Sequence, residues 1–156
     1  MNQFGHTFRI QLYGESHGPE IGVIIDGCPP GLPLRPEDFE ADLARRRSGA
    51  PGTTPRHEAD IPLIRSGVFG NHSSGAPICI AFANENTRSA DYENIKKTPR
   101  PGHADFVAAK RFKGFADYRG GGHFSGRLTL ALVTAGVIAR KLISPVSIQA
   151  RLLQAG

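Results

Sequence analysis

Two histidines stand where a proton could be handed to a ligand. His17 lies in Gly14-Glu15-Ser16-His17-Gly18-Pro19, displayed on a tight turn beside a hydroxyl. His103 lies in Arg100-Pro101-Gly102-His103-Ala104-Asp105, a loop at a helix start with an acid two residues on. An imidazole titrates near neutrality, which suits either ring to general acid work. Taken alone, either is more often a surface or capping residue than a catalyst, and His6, His57 and His72 carry still less. The letters Gly14-Glu15-Ser16-His17-Gly18 also match the nucleophile elbow G-x-S-x-G. That motif needs a strand leading into a helix, whereas Pro19 and a second strand follow here, so a hydrolase is a poor reading. No His-x-x-x-His pair supports a metal. Cys28 and Cys79 stand far apart with no Cys-x-x-Cys, so zinc has no ligand set and the thiols are expected to be reduced.

Arginine supplies a second kind of chemistry. The chain has 19 Lys plus Arg against 14 Asp plus Glu, a net charge of +5, and 14 of the cations are Arg. A guanidinium grips phosphate or carboxylate with a planar fork, whereas an ammonium is a point charge. The bias points to anion recognition at defined positions rather than a diffuse nucleic-acid surface, although drift in a GC-rich genome gives the same composition. Arg45-Arg46-Arg47 ends a helix candidate, where cations favour the negative pole. Successive helical residues point about 100° apart, so the three cannot face one ligand. Arg127 falls in the first turn of a later helix, where a cation opposes the dipole and needs a counter-anion; a bound phosphate would supply it. Just before it, Gly120-Gly121-Gly122 would let backbone N–H groups approach an anion. It is no dinucleotide fingerprint, because Ser125 stands where the third glycine belongs and no apolar strand precedes it. A plain turn explains it at least as well.

The elements that must hold these residues follow from periodicity. Phe8, Ile10 and Leu12 alternate with polar residues, and Ile21 to Ile25 follows as a second strand, so the two read as an antiparallel pair. Pro36, Glu37 and Asp38 open a helix with Phe39 and Leu43 on one face. Ser48 to Asp60 reads as a long loop; Leu63 to Phe69 and Pro77 to Ala83 read as strands. Asn84 to Gly102 is polar, with one helical turn expected near Tyr92. His103 to Phe112 reads as a short helix with Phe106 and Ala109 inward, and Ser125 caps a long helix reaching about Leu142. Val146 to Leu152 alternates again and reads as a strand. This order suits an α+β fold better than a doubly wound sheet. Composition agrees with one globular domain, at 39% hydrophobic and 21% charged residues. The 19 glycines and 12 prolines imply a chain bent often, with long ordered loops. No apolar run reaches the ~18–20 residues of a membrane span. The segment Met1 to Gly14 lacks the apolar core of a signal peptide, so a cytoplasmic protein is expected.

Taken together, these segments resemble chorismate synthase. The resemblance rests on Tyr13-Gly14-Glu15-Ser16-His17-Gly18, on Asp26-Gly27 with Pro29-Pro30-Gly31-Leu32-Pro33-Leu34, and on Asp42-Leu43 to Arg45-Arg46-Arg47. It continues through Ser66-Gly67-Val68-Phe69, Arg100-Pro101-Gly102-His103-Ala104-Asp105, and Asp117-Tyr118-Arg119-Gly120-Gly121-Gly122 with Ser125-Gly126-Arg127. The motifs run in order over essentially the whole chain. The family resemblance implies a β-α-β sandwich, with antiparallel sheets packed around helices, assembling as a homotetramer. It implies an anti-1,4-elimination of phosphate from 5-enolpyruvylshikimate 3-phosphate with reduced FMN, and NADP among the family's associated ligands. By resemblance, His17 protonates the departing phosphate and His103 protonates or steadies the reduced flavin. Ser16, Arg46 and Arg127 would hold the substrate, and His123, Phe124, Ser125 and Arg46 the flavin.

Three departures accompany the resemblance. Relatives often carry a basic-Ser-Ser-Ala-Arg run after the triple glycine, whereas this chain has His123-Phe124-Ser125-Gly126-Arg127, so Phe124 brings no hydroxyl. The loop Ser48 to Pro55 lacks an Arg that many relatives place there, while Arg56 survives downstream. Similar enzymes are also much longer, so residues 1–156 read as the N-terminal part of such a domain with its C-terminal half absent. Leu128, Leu132, Ala135 and Leu142 are then expected to form a poorly covered apolar face that drives self-association. The alternatives are the biosynthetic lyase, a folded fragment without turnover, and, from another class, an Arg-rich polyanion-binding module.

Overall fold

The computed structural model describes residues 2–48, 56–88 and 92–154. Among the described residues seven strands form: β1 (Gln3–Phe4), β2 (Arg9–Gly14), β3 (Glu20–Asp26), β4 (Leu63–Ser66), β5 (Val68–Phe69), β6 (His72–Ser73) and β7 (Ile78–Ala83). Five of them make one antiparallel sheet in the order β1-β2-β3-β7-β4, and β5 pairs with β6 in a separate ribbon. The register explains why alternation folds here. Ile10 faces Ile25, which faces Ile78; Leu12 faces Val23, which faces Ile80; Ile21 faces Phe82. Because side chains alternate across a strand, these rows fall on one side of the sheet.

Helices cover that side. A 3₁₀ turn (Pro36–Phe39) leads into α1 (Glu40–Arg46); α2 (Asp105–Arg111) is short, and α3 (Thr129–Leu142) follows a 3₁₀ turn at Gly126–Leu128. Leu130, Ala131, Thr134, Ala135, Val137 and Ile138 of α3 are buried, and α3 packs against β3 and α1. Each fully buried Leu, Ile or Phe contributes about 1.5–3 kcal/mol. Phe39, Leu43, Ile80, Phe82 and Ile138 form one cluster of such residues. Ser125 caps the helical run as expected, its Oγ accepting from the Arg127 amide at 3.3 Å. The reverse of the sheet carries Tyr13 opposite Gly22. There the Tyr13 ring lies on Gly22, where a Cβ would come within 2.6 Å of Cζ. Among the described residues, no helix is long and apolar enough to cross a membrane.

The α+β class and the antiparallel pairing stand, with three corrections of detail. Among the described residues, 146–152 form no strand; the Val146 amide turns back to the Ile143 carbonyl at 2.9 Å, and Ile148 is 78% exposed. Alternation creates a strand only where a sheet edge offers hydrogen bonds, and none reaches this segment. In α2, Phe106 is 57% exposed and Ala109 is exposed too, while Ala108 is buried. Asp105 is drawn inward by Arg100, and Phe106, about 100° further round, then turns outward. Of the supposed uncovered face of α3, Leu128 and Ala135 are buried; Leu132 is 46% exposed. The sheet core claims more of the helix than its sequence suggested. Of the loop Ser48 to Asp60, residues 49–55 lie outside the described residues.

Candidate functional site

The polar end of this layer is assembled by the triple glycine. Gly120, Gly121 and Gly122 have φ of 58°, 81° and 54°, and each supports a close approach. A Cβ on Gly120 would stand 2.4 Å from His17 Cδ2 and 2.8 Å from Ser16 Oγ. On Gly121 it would stand 2.9 Å from His103 Cε1, and on Gly122 2.0 Å from the Asp117 carbonyl. Only a side-chain-free strap in left-handed conformation fits. The strap thus touches both histidines, one on each of two successive residues. It is tied to the His17 turn by the Ser16 amide donating to the Gly122 carbonyl at 3.0 Å. His123 Nδ1 adds a donation to the Gly14 carbonyl at 2.9 Å.

Arginines gather opposite the strap. Arg127 is buried, and the counter-anion its position demands is inside the chain. Its Nη1 donates to Asp60 Oδ1 at 2.9 Å, Nε to Asn84 Oδ1 at 2.5 Å and Nη2 to the Ala83 carbonyl at 3.2 Å. The need for a counter-anion is met inside the chain, by Asp60, itself 5% exposed, rather than by the bound phosphate offered as its source. Arg46 reaches the other oxygen of Asp60 at 3.5 Å and the Gly126 carbonyl at 3.2 Å. Burial lowers the pKa of Arg46, with Asp60 opposing that shift. Arg56 donates to Ser16 Oγ at 2.8 Å, to the Ser16 carbonyl at 3.0 Å and to Glu58 at 2.6 Å. Burial works against the Glu58 charge, yet the amides of Glu85 and Asn86 and the Arg56 guanidinium hold its pKa below the ordinary value. No buried side-chain polar atom among the described residues lacks a partner.

His103 is framed by charge. Its Nδ1 lies 2.6 Å from Asp105 Oδ1, and Arg100 Nη2 lies within 3.2 Å of both ring nitrogens. Arg100 also forks onto Asp105, Nε to Oδ2 at 2.8 Å and Nη2 to Oδ1 at 2.9 Å. That fork holds the Asp105 carboxyl down at a pKa of about 2. His17 meets the Tyr92 ring edge-on, centroids 5.0 Å apart, and the Arg100 guanidinium lies 5.8 Å over the same tyrosine.

A cavity of about 430 Å³ opens between these groups, lined among others by Ser16, Arg46, Arg56, Arg100, His103 and Arg127. His17 is not in the lining itself but abuts Gly120 and Tyr92, which are. A second cavity of about 300 Å³ lies beyond His103 and Gly121, with Ala108, Ala109 and Phe124 in its wall. The triplet 123–125 is divided: Ser125 faces the first cavity, Phe124 the second, and His123 holds the Gly14 carbonyl. Ser16, Arg46, Arg127, His17 and His103 are brought together as the sequence suggested. Sequence reasoning missed Asp60, Glu58, Asn84 and Tyr92, and saw in Arg56 only a downstream survivor. Their signal was an unusual density of polar residues before β4 and after β7, without spacing to pair them.

The fold and the site together define an α+β protein whose pocket suits a small anionic molecule. The sequence profile of the chorismate synthase family matches residues 8–156, and the chain belongs to that family. The chorismate synthase of Chitinophaga pinensis is 62% identical over 153 residues, 97% of this chain and 46% of that protein. That of Methanocella arvoryzae is 52% identical over 144 residues, 92% of this chain and 38% of the relative. A crystal structure of chorismate synthase matches with a TM-score of 0.62 at 26% identity, over 89% of this chain and 34% of that one. The chain spans less than half the length of these relatives.

Proposed function

We propose that residues 1–156 form the N-terminal part of a lyase that converts 5-enolpyruvylshikimate 3-phosphate to chorismate and phosphate, with reduced FMN as cofactor. The observation that carries this reading is convergence. Arg46, Arg56, Arg100 and Arg127 line one cavity with Ser16 and His103, and His17 abuts its wall. A substrate with one phosphate and two carboxylates calls for several guanidinium forks. In the reaction the C–O bond to phosphate breaks and the ring loses one proton for the one the departing phosphate takes up, so protons balance and there is no net redox change. Ser16 Oγ accepts from Arg56, which leaves the hydroxyl proton to donate to a ligand oxygen. His17, set beside Ser16 by the turn and Gly120, gives a proton to the departing phosphate. The arginines stabilise the charge that grows on that leaving group.

The residues present fit a flavin. Beside His103 and Gly121 the second cavity, of about 300 Å³, offers small apolar walls from Ala108 and Ala109 and the aromatic ring of Phe124. His103 and Phe124 would hold it there, with Ser125 on the side of the first cavity. A bound reduced flavin would supply electron density to the system that loses phosphate. Asp105 and Arg100 fix His103 at that boundary.

A second reading, a folded fragment that self-associates without turnover, is favoured by the exposed Phe106, Phe112 and Phe115 at and after α2. Anaerobic incubation with 5-enolpyruvylshikimate 3-phosphate and reduced FMN decides between them. Chorismate formation that falls ~10²–10⁴-fold in His17→Ala, the usual range for a lost general acid, supports the lyase. Substrate binding without turnover, with a light-scattering mass above that of one chain, supports the fragment.

A further inference from the structure

We propose that Asn84 is a positioning residue, the neutral clamp that holds the Ser16–His17 turn in register with the two arginines on which it closes. The residue follows β7 directly, and no motif marks it. Its side chain donates both Nδ2 hydrogens to the turn, to the Gly18 carbonyl at 2.8 Å and to the Glu15 carbonyl at 3.0 Å. Its Oδ1 accepts from Arg127 Nε at 2.5 Å and from Arg56 Nη2 at 3.4 Å. A side-chain amide has two donors and two acceptor sites, so its capacity is fully used. Its backbone amide adds a fifth tie, to the Pro19 carbonyl at 3.0 Å.

The chemistry favours an amide over the alternatives. The donors must reach two backbone carbonyls, which a carboxylate cannot do. The acceptor must serve two guanidinium groups without adding charge. Four arginines and two carboxylates, Glu58 and Asp60, already line the cavity. A third carboxylate in contact with Arg127 and Arg56 would cancel positive charge that an anionic ligand needs. Asn84 thus sets two things together: where the turn stands, and how much positive charge the pocket keeps. The second part rests on the anion-pocket reading above; the first does not.

Two variants and two measurements separate them. Asn84→Ala removes all four side-chain bonds; Asn84→Asp keeps the acceptors and loses the donors. In both, hydrogen exchange at the Ser16 and Gly18 amides, which bond Gly122 and Glu15 carbonyls, is expected to speed at least tenfold. The β3–β7 amides of Val23 and Ile80 keep their protection, and the His17 ring signals move off their Tyr92-shifted positions. Equal loss of protection everywhere, or none at the turn, overturns the clamp, because a merely stabilising residue acts globally. Titration with inorganic phosphate is the second arm. Wild-type chain is expected to bind, Asn84→Ala more weakly, and Asn84→Asp at least tenfold more weakly than Asn84→Ala. Binding in Asn84→Asp equal to Asn84→Ala overturns the charge role. Wild-type chain that binds no phosphate overturns the pocket reading and the charge role with it, while the exchange result still judges the clamp.

Discussion

The buried layer and the polar end of this molecule are both tightly determined, but by opposite means. Between β3, β7 and α3, rows of Ile, Val and Phe meet along the pleat, and any residue of similar volume and shape would serve much as well. At the polar end each group has a particular partner: Arg127 has Asp60, Arg56 has Glu58, Arg100 has Asp105. The first region tolerates exchange and dislikes voids. The second tolerates little exchange, because removing one partner strands the other in a buried site. Stability and the proposed ligand chemistry therefore meet in the same few side chains at one end, and separate at the other.

The sharpest way to break this contrast is at Asp60, shared by Arg127 and Arg46. Asp60→Ala is expected to cost about 3–5 kcal/mol in urea unfolding, the usual result of orphaning a buried charge. Pairing Asp60→Leu with Arg127→Met should recover most of that loss while phosphate binding disappears. Next, Ile80→Ala should cost about 2–5 kcal/mol through the cavity it leaves, yet the protein that remains folded should bind phosphate unchanged. A loss of binding there would show that the two regions are not separable. Gly121→Ala is smaller, about 1–2 kcal/mol for forcing a Cβ into left-handed backbone, but it should displace His103 and change its NMR signals. An effect of similar size, seen only in acid, is expected at Asp105. Its folded pKa of about 2 lies below the ordinary 3.8, so its contribution is complete above pH 3.8 and fades as pH falls toward 2. An acid unfolding profile should be flatter across that window in Asp105→Asn.

The layer was legible in the sequence for a physical reason: alternation and helical spacing are local signals, and Ile21 to Ile25, Pro77 to Ala83 and Ser125 to Leu142 carried them. The site was legible in part. His17, His103 and Arg127 stood out by motif or by an unfavourable position, and a family resemblance placed them together. What answers Arg127 could not be read, since Asp60 is 67 residues away and no period links them. The clamp at Asn84 was hidden likewise, because an asparagine after a strand has many uses. Residues 146–152 erred the other way: a correct local pattern lacked a neighbour to pair with, and Phe106 was turned outward by the charge of the residue before it.

The strap also sets a timetable. The β2–β3 hairpin that displays Ser16 and His17 closes over a few residues, a matter of microseconds. The strap that completes their surroundings comes far later in the chain: His123, bonded to the Gly14 carbonyl, follows it by 109 residues. At roughly 5–20 residues per second of synthesis, the turn exists for on the order of ten seconds before its cover is made. During that interval the guanidinium of Arg56 can dock on Ser16, but the glycines that fix both imidazoles cannot. The polar end of the molecule is thus completed long after the hairpin on which it begins.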